Sequence, residues 1–209
     1  MQIITAIEEL DKKRCKIYLD GEFAFVLYKG ELSIYGIQVN KELSREEYSK
    51  ILGENLTKRA KKRALYLLQK KSYTEWKLRE KLREGYYPSE VIDEAINYVK
   101  SYHYIDDLSF AKEYIFFRKE TLPKRILEEK LRQKGIGKED LQKALEEFYD
   151  SREEEEELQM KQALKLLKKR SYDKEIADPK EKQKLYAYLM RKGISSSVIK
   201  KALAIEWEE

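Results

Sequence analysis

Along the first 28 residues, apolar and polar positions fall into three short runs, ITAIEEL, CKIYL and FAFVLY, rich in β-branched and aromatic residues. Runs of this length and composition predict strands. Asp20-Gly21, between the second and third, predicts a hairpin, because a type I′ turn needs positive φ that these residues tolerate. A small sheet is expected here. Lys29 to Ile37 predicts a short helix, and Ser44 followed by Glu47 is a capping box that opens another helix through Ile51.

From about Leu56 the apolar spacing becomes helical, and it repeats. Leu78, Leu82, Ile92, Ala95 and Ile96 share one spacing with Leu127, Leu131, Leu141, Ala144 and Leu145, and with Leu185, Leu189, Ile199, Ala202 and Leu203. Upstream of each set lies a further helix with matching anchors: Ala64, Leu67 and Leu68; Ala111, Tyr114 and Ile115; Ala163, Leu166 and Leu167. Each unit therefore holds three helices. The distance from the alanine to the first leucine grows from 14 to 16 to 22 residues, so the variation sits in a loop, longest at Ser171 to Lys180. Gly85, Gly135 and Gly193 come after the second helices, where a helix end wants a left-handed residue, and the first is displaced by one position. Units of this kind bury a face only by stacking on neighbours. The expectation is a mainly α protein: an elongated array of tandem three-helix repeats at 56–105, 106–150 and 151–209, preceded by a small β-hairpin or sheet extension with short helices at 1–55.

Composition supports helices over turn-rich β structure, with only 8 Gly and 3 Pro in 209 residues. A charged fraction of 40% and a mean hydropathy of −0.77 describe extensive solvated surface and leave no candidate membrane span. MQIITAIEEL has no basic region ahead of an apolar core, so a cytoplasmic location is expected. One cysteine, Cys15, forms no internal disulfide; it reads as a small core residue of a strand in a reducing compartment. Net charge is only +5, but residues 58–86 hold eleven Lys/Arg against three Glu, while 139–157 hold ten acids against Lys143 and Arg152. That asymmetry suggests a polyanion-facing region set apart from an acidic segment. The run EEEEE at 153–157 reads as the exposed start of a helix or a linker.

YHYIDDLSF, at 102–110, brings the only histidine, His103, close to Asp106 and Asp107. Metal ligation and acid-base catalysis need side chains that converge in a pocket, and adjacent helical residues point about 100° apart. Asp106 or Asp107 is expected instead to cap a helix starting near Leu108, with Ile105 and Phe110 packing where units one and two meet. His103, with Tyr102 and Tyr104, reads as half-buried, and Trp76 as a filler of helix interfaces. GIGKED, at 135–140, lacks the G-x-x-x-x-G-K-[ST] pattern of a phosphate loop. No catalytic residue, metal or cofactor is expected.

The candidate chemistry is basic. Lys58, Arg59, Lys61, Lys62, Arg63, Lys70, Lys71, Lys77, Arg79, Lys81 and Arg83 crowd the first unit; Lys124, Arg125, Arg132 and Lys134, then Lys168, Lys169 and Arg170, occupy comparable places later. They are either solvated helix faces or a stripe that meets phosphates or an acidic protein. Sixteen Tyr and two Trp either fill helix interfaces or offer a stacking surface for bases.

Tyr104-Ile105-Asp106-Asp107, followed by Phe110-Ala111 and preceded by the helix pair around Trp76 to Leu82, resembles the most recognisable stretch of the RecX family. Lys134-Gly135-Ile136 and Lys192-Gly193-Ile194 resemble the turns of its second and third units. The resemblance covers about residues 58–205, and the β extension resembles that of longer members; the long loop after Arg170 and a weakly conforming third unit depart from the pattern. It implies a non-enzymatic regulator, acting in recombination and DNA repair. Such a protein binds the RecA recombinase filament on single-stranded DNA and depresses its ATPase, strand-exchange and co-protease activities. Some members also bind DNA directly. A stand-alone DNA binder and a helical-repeat adaptor for another protein are the alternatives. A monomer is expected, since such an array needs no second chain, although the β extension leaves an edge.

Overall fold

The computed structural model describes residues 1–172 and 178–203. Strands β1 (Gln2–Glu9), β2 (Arg14–Leu19), β3 (Glu22–Tyr28) and β4 (Glu42–Leu43) form one antiparallel sheet in the order β3-β2-β1-β4. Asp20 and Gly21 take φ of 50° and 87°, the turn their sequence predicts, and Leu19 pairs with Glu22 across it. The Asp20 carboxylate also accepts from the Ile3 N–H at 2.9 Å, tying the hairpin tip to β1. Ile4, Cys15, Ile17, Leu19, Phe25 and Leu27 are buried.

Helix α1 (Lys29–Ile34) ends short of Ile37, and the chain turns through Gly36 at φ 59° so that Ile37 becomes buried. Ser44 and Glu47 form the expected capping box at the start of α2 (Arg45–Lys50), with bonds of 3.1 and 2.9 Å. The helix expected to finish at Ile51 instead runs on without a break, as a π-helical stretch (Ile51–Thr57) leading directly into α3 (Lys58–Lys70). The buried residues there explain this winding. Ile51 and Leu52 precede Leu56 and Thr57 by five residues, and only the wider i to i+5 ladder brings such pairs toward one side.

The repeats form as expected. The first unit is α3, α4 (Glu75–Arg83) and α5 (Ser89–Ser101). The second is α6 (Asp107–Phe116), α7 (Lys124–Gln133) and α8 (Lys138–Glu146); the third is α9 (Arg152–Lys168), α10 (Pro179–Arg191) and α11 (Ser196–Leu203). The repeated leucine, isoleucine and alanine anchors are buried, except Leu68, Leu166 and Ala202, which are partly buried. They fall into three cores. The second and third units each have their own, whereas the first unit shares one core with the sheet, in which Phe25, Leu27, Ile51, Leu82 and Ile96 belong to the same cluster. Of the long loop, residues 173–177 lie outside the described residues; Asp178 caps α10 at 2.7 Å, and Pro179 and Lys180 already belong to that helix. By contacts the chain divides into two compact units, Met1–Asp106 and Asp107–Glu209.

Each second helix closes in the same way. Gly135 N–H bonds the Arg132 carbonyl and Ile136 N–H the Leu131 carbonyl; Gly193 and Ile194 bond Met190 and Leu189 likewise. In the first unit the left-handed place belongs to Tyr86 (φ 64°), whose N–H reaches Arg83, and not to Gly85. Its ring compensates for the unfavourable φ by meeting Phe23 edge-on at 6.2 Å, with Lys16 over it at 5.4 Å.

His103 occupies a left-handed helix-end position as well, at φ 55°, with its N–H on the Lys100 carbonyl and that of Tyr104 on Val99. It is exposed rather than half-buried, because this closing turn lifts it away from the α5 core face. Tyr102 and Tyr104 are also exposed, stacked at 5.8 Å. Trp76 is 41% exposed under the Lys77 ammonium, so it does not fill an interface; the face of α4 that enters the core carries Leu78 and Leu82. Ile105 joins the first core and Phe110 packs on the second.

Helix α6 begins at Asp107, immediately after Asp106, where carboxylates meet the free N–H groups and positive dipole end of a first turn. Changing both to Ala is expected to lower stability by about 1 kcal/mol or somewhat more, seen as a lower urea midpoint at unchanged slope. Full stability in that variant would contradict the capping role.

Candidate interface

Apart from Lys134, which lies 5.4 Å from the Tyr114 ring centre, the candidate cations separate into two groups once their neighbours are known. Arg59 is spent inside the first unit: it pairs with Glu31 at 3.2 Å, donates to the Val26 carbonyl at 3.0 Å and stacks 4.8 Å over Tyr28. Arg79 bridges Glu75 at 2.8 Å and Asp93 at 2.5 Å, and Glu75 also accepts from Lys100 at 2.7 Å. Partial burial alone would raise the Glu75 pKa, but hydrogen bonds from Lys100 and Arg79 outweigh it and hold the carboxyl below its usual range. Lys61 pairs with Glu94, Lys77 with Glu80, Lys81 with Glu84, Lys124 with Glu155 and Arg132 with Glu128. Several of these are exposed pairs worth little to stability, yet each neutralises a charge the sequence left open.

The second group has no ion pair among the described residues: Lys58, Lys62, Arg63, Lys70, Lys71, Arg83, Arg125, Lys168, Lys169 and Arg170. Spacing places Arg63, Tyr66 and Lys70 on one face of α3, and Tyr66, 51% exposed, lies under both cations at 5.6 and 5.3 Å. This face of α3 is where the structure gathers unneutralised charge. Lys58 and Lys62 line a neighbouring cleft of about 380 Å³ together with Glu31, Glu54 and Asn55.

A second cleft, of about 330 Å³, lies between α7 and α8 and is lined by Lys124, Glu128, Arg132, Lys138 and Tyr149 among others. The Tyr149 hydroxyl is buried without a hydrogen-bond partner among the described residues. Burial, then the nearby Glu155 charge, push its pKa from 10.0 up to about 12. The folded state thus holds the neutral phenol more firmly than the unfolded chain does. Its contribution is complete below pH 10 and is lost as pH rises toward about 12. Tyr149→Phe is expected to remove that alkaline loss and to leave neutral-pH stability unchanged or raised by about 1 kcal/mol, since no bond is broken. Thermal melts at neutral and alkaline pH check both parts.

The acidic run opens α9, as one of the two readings had it: Ser151 caps the helix, accepting from the Glu154 N–H at 3.1 Å. Sequence reasoning passed over four residues that the structure sets beside tyrosines or phenylalanines: Arg118, Lys119, Lys192 and Lys16. For Arg118 a signal existed, since it lies beyond its alanine anchor by the same interval as Lys71 and Arg170.

Three-helix units in tandem behind a small sheet, with cations presented on helix faces and helix ends, define a helical-repeat protein. The family model for the RecX first three-helix domain matches residues 60–98, and that for the RecX third three-helix domain matches residues 156–203. The regulatory protein RecX of Caldanaerobacter subterraneus subsp. tengcongensis is 31% identical over 203 residues, covering 96% of this chain and 98% of that one. The chain belongs to the RecX family of regulatory proteins. RecX of Clostridium beijerinckii is 30% identical, with 97% of this chain and 96% of that protein covered. A crystal structure of a regulatory protein RecX covers 98% of this chain and 100% of its own, at 30% identity and a TM-score of 0.61. Among the described residues no helix is long and apolar enough to cross a membrane.

Proposed function

We propose that this protein binds along the RecA recombinase filament on single-stranded DNA and depresses its ATPase, strand-exchange and co-protease activities, as a monomer in the cytoplasm. Membership of a family of regulators over nearly the whole chain is the observation that carries the reading. The unpaired cations of α3 supply a chemistry suited to a polyanionic partner: Lys58, Lys62, Arg63 and Lys70 keep their charge available, while Arg59 and Arg79 hold the first unit together. In this reading the protein acts by occupying the filament and performs no reaction itself.

The test is DNA-dependent ATP hydrolysis by the cognate recombinase, with this protein added below and then above stoichiometry. Inhibition is expected, and K58Q/K62Q/R63Q/K70Q should weaken it by roughly an order of magnitude or more, as several charged contacts are lost. Unchanged hydrolysis at excess protein would sink the proposal. Tight single-strand binding without any effect on the recombinase would favour a stand-alone DNA binder.

A further inference from the structure

The first helices of units one and three end alike. Positions five, six and seven beyond the buried alanine are Gln69, Lys70 and Lys71 in the first unit and Lys168, Lys169 and Arg170 in the third, all exposed. The carbonyl end of a helix favours such cations. In the second unit the same three positions hold Phe116, Phe117 and Arg118. The charge at the last place is kept, while phenylalanines that are 58% and 73% exposed take the places that polar or cationic side chains fill in the other units. Packing does not call for them, since neither belongs to the core of the second unit, on which Phe110, Tyr114 and Phe148 pack. They gain nothing from the helix dipole either. Two adjoining apolar rings left in water, at a place where the fold accepts lysine, mark a surface that meets something outside the chain.

The rings are held in place. Phe116 meets Phe117 at 5.2 Å with the planes 81° apart, and Phe148 at 6.4 Å. Because Phe148 packs on the core, a line of three rings runs from the interior out to Phe117. The backbone beneath is closed as well, with the Phe117 N–H on the Glu113 carbonyl at 3.1 Å and the Arg118 N–H on that of Ile115 at 3.0 Å. Phe116 takes at most one face of Phe117. Among the described residues no cation lies over either ring, whereas Arg118 lies over Tyr114 at 4.2 Å and Lys119 over Phe148 at 5.1 Å. Arg118 and Lys119 have no ion pair among the described residues. An open aromatic ring thus stands directly before two cations, at a position that is itself cationic in both sister units.

We propose that Phe117, supported by Phe116, is a stacking platform for one base of single-stranded nucleic acid, with Arg118 meeting a phosphate of the same strand. This rests on the reading above and deepens it by naming a residue that touches the bases. A single strand offers an anion and an aromatic plane at every nucleotide, so it complements a lysine position that becomes phenylalanine in one unit of three. An acidic protein surface would favour lysine in all three units and gains nothing from the exchange. An apolar pocket on a protein gains nothing from the cations beside the ring. A duplex keeps its bases paired inside and leaves the platform nothing to stack on. The phenyl ring has no hydrogen-bonding group, so the contact accepts any base.

The full chain, without recombinase, is titrated into labelled oligothymidine and into an abasic oligonucleotide of equal length, over a salt series, with fluorescence anisotropy as readout. F117A should weaken binding to oligothymidine about tenfold and leave the abasic strand unaffected. The slope of log affinity against log salt should stay as in the parent, because no charge is removed, whereas R118Q should lower it by about 0.7 on both strands. F117W, which keeps a flat apolar face, should retain binding, and oligothymidine should quench its emission beyond the change seen in the parent, while the abasic strand should not. I34A, which trims a side chain 75% exposed in the first unit, should bind as the parent does. An equal loss on both strands in F117A, or the same loss in I34A, would overturn the platform, as would F117W emission that oligothymidine leaves unchanged. If F117A binds both strands normally but no longer inhibits ATP hydrolysis, Phe117 enters a pocket of the recombinase and the inference fails, while the filament reading stands. Failure of the parent chain to bind either oligonucleotide also overturns the inference; the filament reading is judged separately by the ATPase.

Discussion

Gly193→Ala is expected to destabilise the unit Asp107–Glu209 by about 2–4 kcal/mol, the sum of two penalties at one atom. Gly193 sits at φ +91°, where an L side chain is strained. A Cβ there would also come within 2.6 Å of Ile126 Cγ1 and 3.1 Å of its Cδ1, with the Pro123 Cβ at 3.6 Å behind. Ile126 lies in the first turn of α7, so the glycine of the third repeat is pressed against the second, and the chain cannot open the gap without disturbing both. The contact is one of several at this seam. Gln162 donates to the Lys119 carbonyl at 2.6 Å, and Lys124 pairs with Glu155 at 2.9 Å. Chemical denaturation of the parent and of G193A measures the difference. A change below about 0.5 kcal/mol would show that the seam yields freely. A substitution to Asn, which tolerates left-handed φ but still carries a Cβ, separates the clash from the strain.

The second large effect is expected from deletion of residues 1–50. In a repeat array, an N-terminal appendage could be removed with little harm to the downstream units. Here the deletion takes away Ile4, Ile17, Phe25, Leu27 and Leu43, all at most 1% exposed, from the cluster that also buries Leu78, Leu82, Ile92 and Ile96. At about 1.5–3 kcal/mol for each large apolar side chain, the loss exceeds the few kcal/mol by which a small domain is stable. Residues 56–105 should therefore lose protection from hydrogen exchange in the truncated chain, while the Asp107–Glu209 unit keeps its own. Retained protection of Leu82 and Ile96 amides would show that the first unit folds alone. The proposed filament inhibition should fall with it, since α3 carries most of the first unit's cations that have no ion pair among the described residues.

Much of the helical layout was legible because burial on one helix face leaves a mark in the sequence. The leucine and alanine anchors of all three units were found by spacing, and Gly135 and Gly193 by the left-handed position that a helix end favours. The same reasoning located the Asp20-Gly21 turn and the Ser44–Glu47 box, both local devices whose partners lie within a few residues. It missed the π-helical passage from Ile51 to Thr57, because a search tuned to a 3.6-residue period has no place for anchors five apart. It could not see that Tyr86 takes the position glycine holds elsewhere. The ring that compensates the strain rests on Phe23, far away in sequence.

The basic residues were the least legible part. Composition marks Arg59 and Lys62 alike, but Glu31, 28 residues upstream, claims the first and leaves the second. Likewise Glu75 takes Lys100 across 25 residues. Ion pairing depends on which helices lie side by side, and no short-range pattern records that.

By itself, then, the sequence determined most of the elements, the three-fold repetition, the anchor positions of the repeats and the family, since each rests on periodicity or local stereochemistry that the residues carry wherever they are placed. The tertiary structure alone decided that the sheet and the first repeat share a core, which cations remain free to meet a partner, and that Arg118 and Lys192 stand with them. Those depend on distances between residues remote along the chain, and only the folded packing sets them.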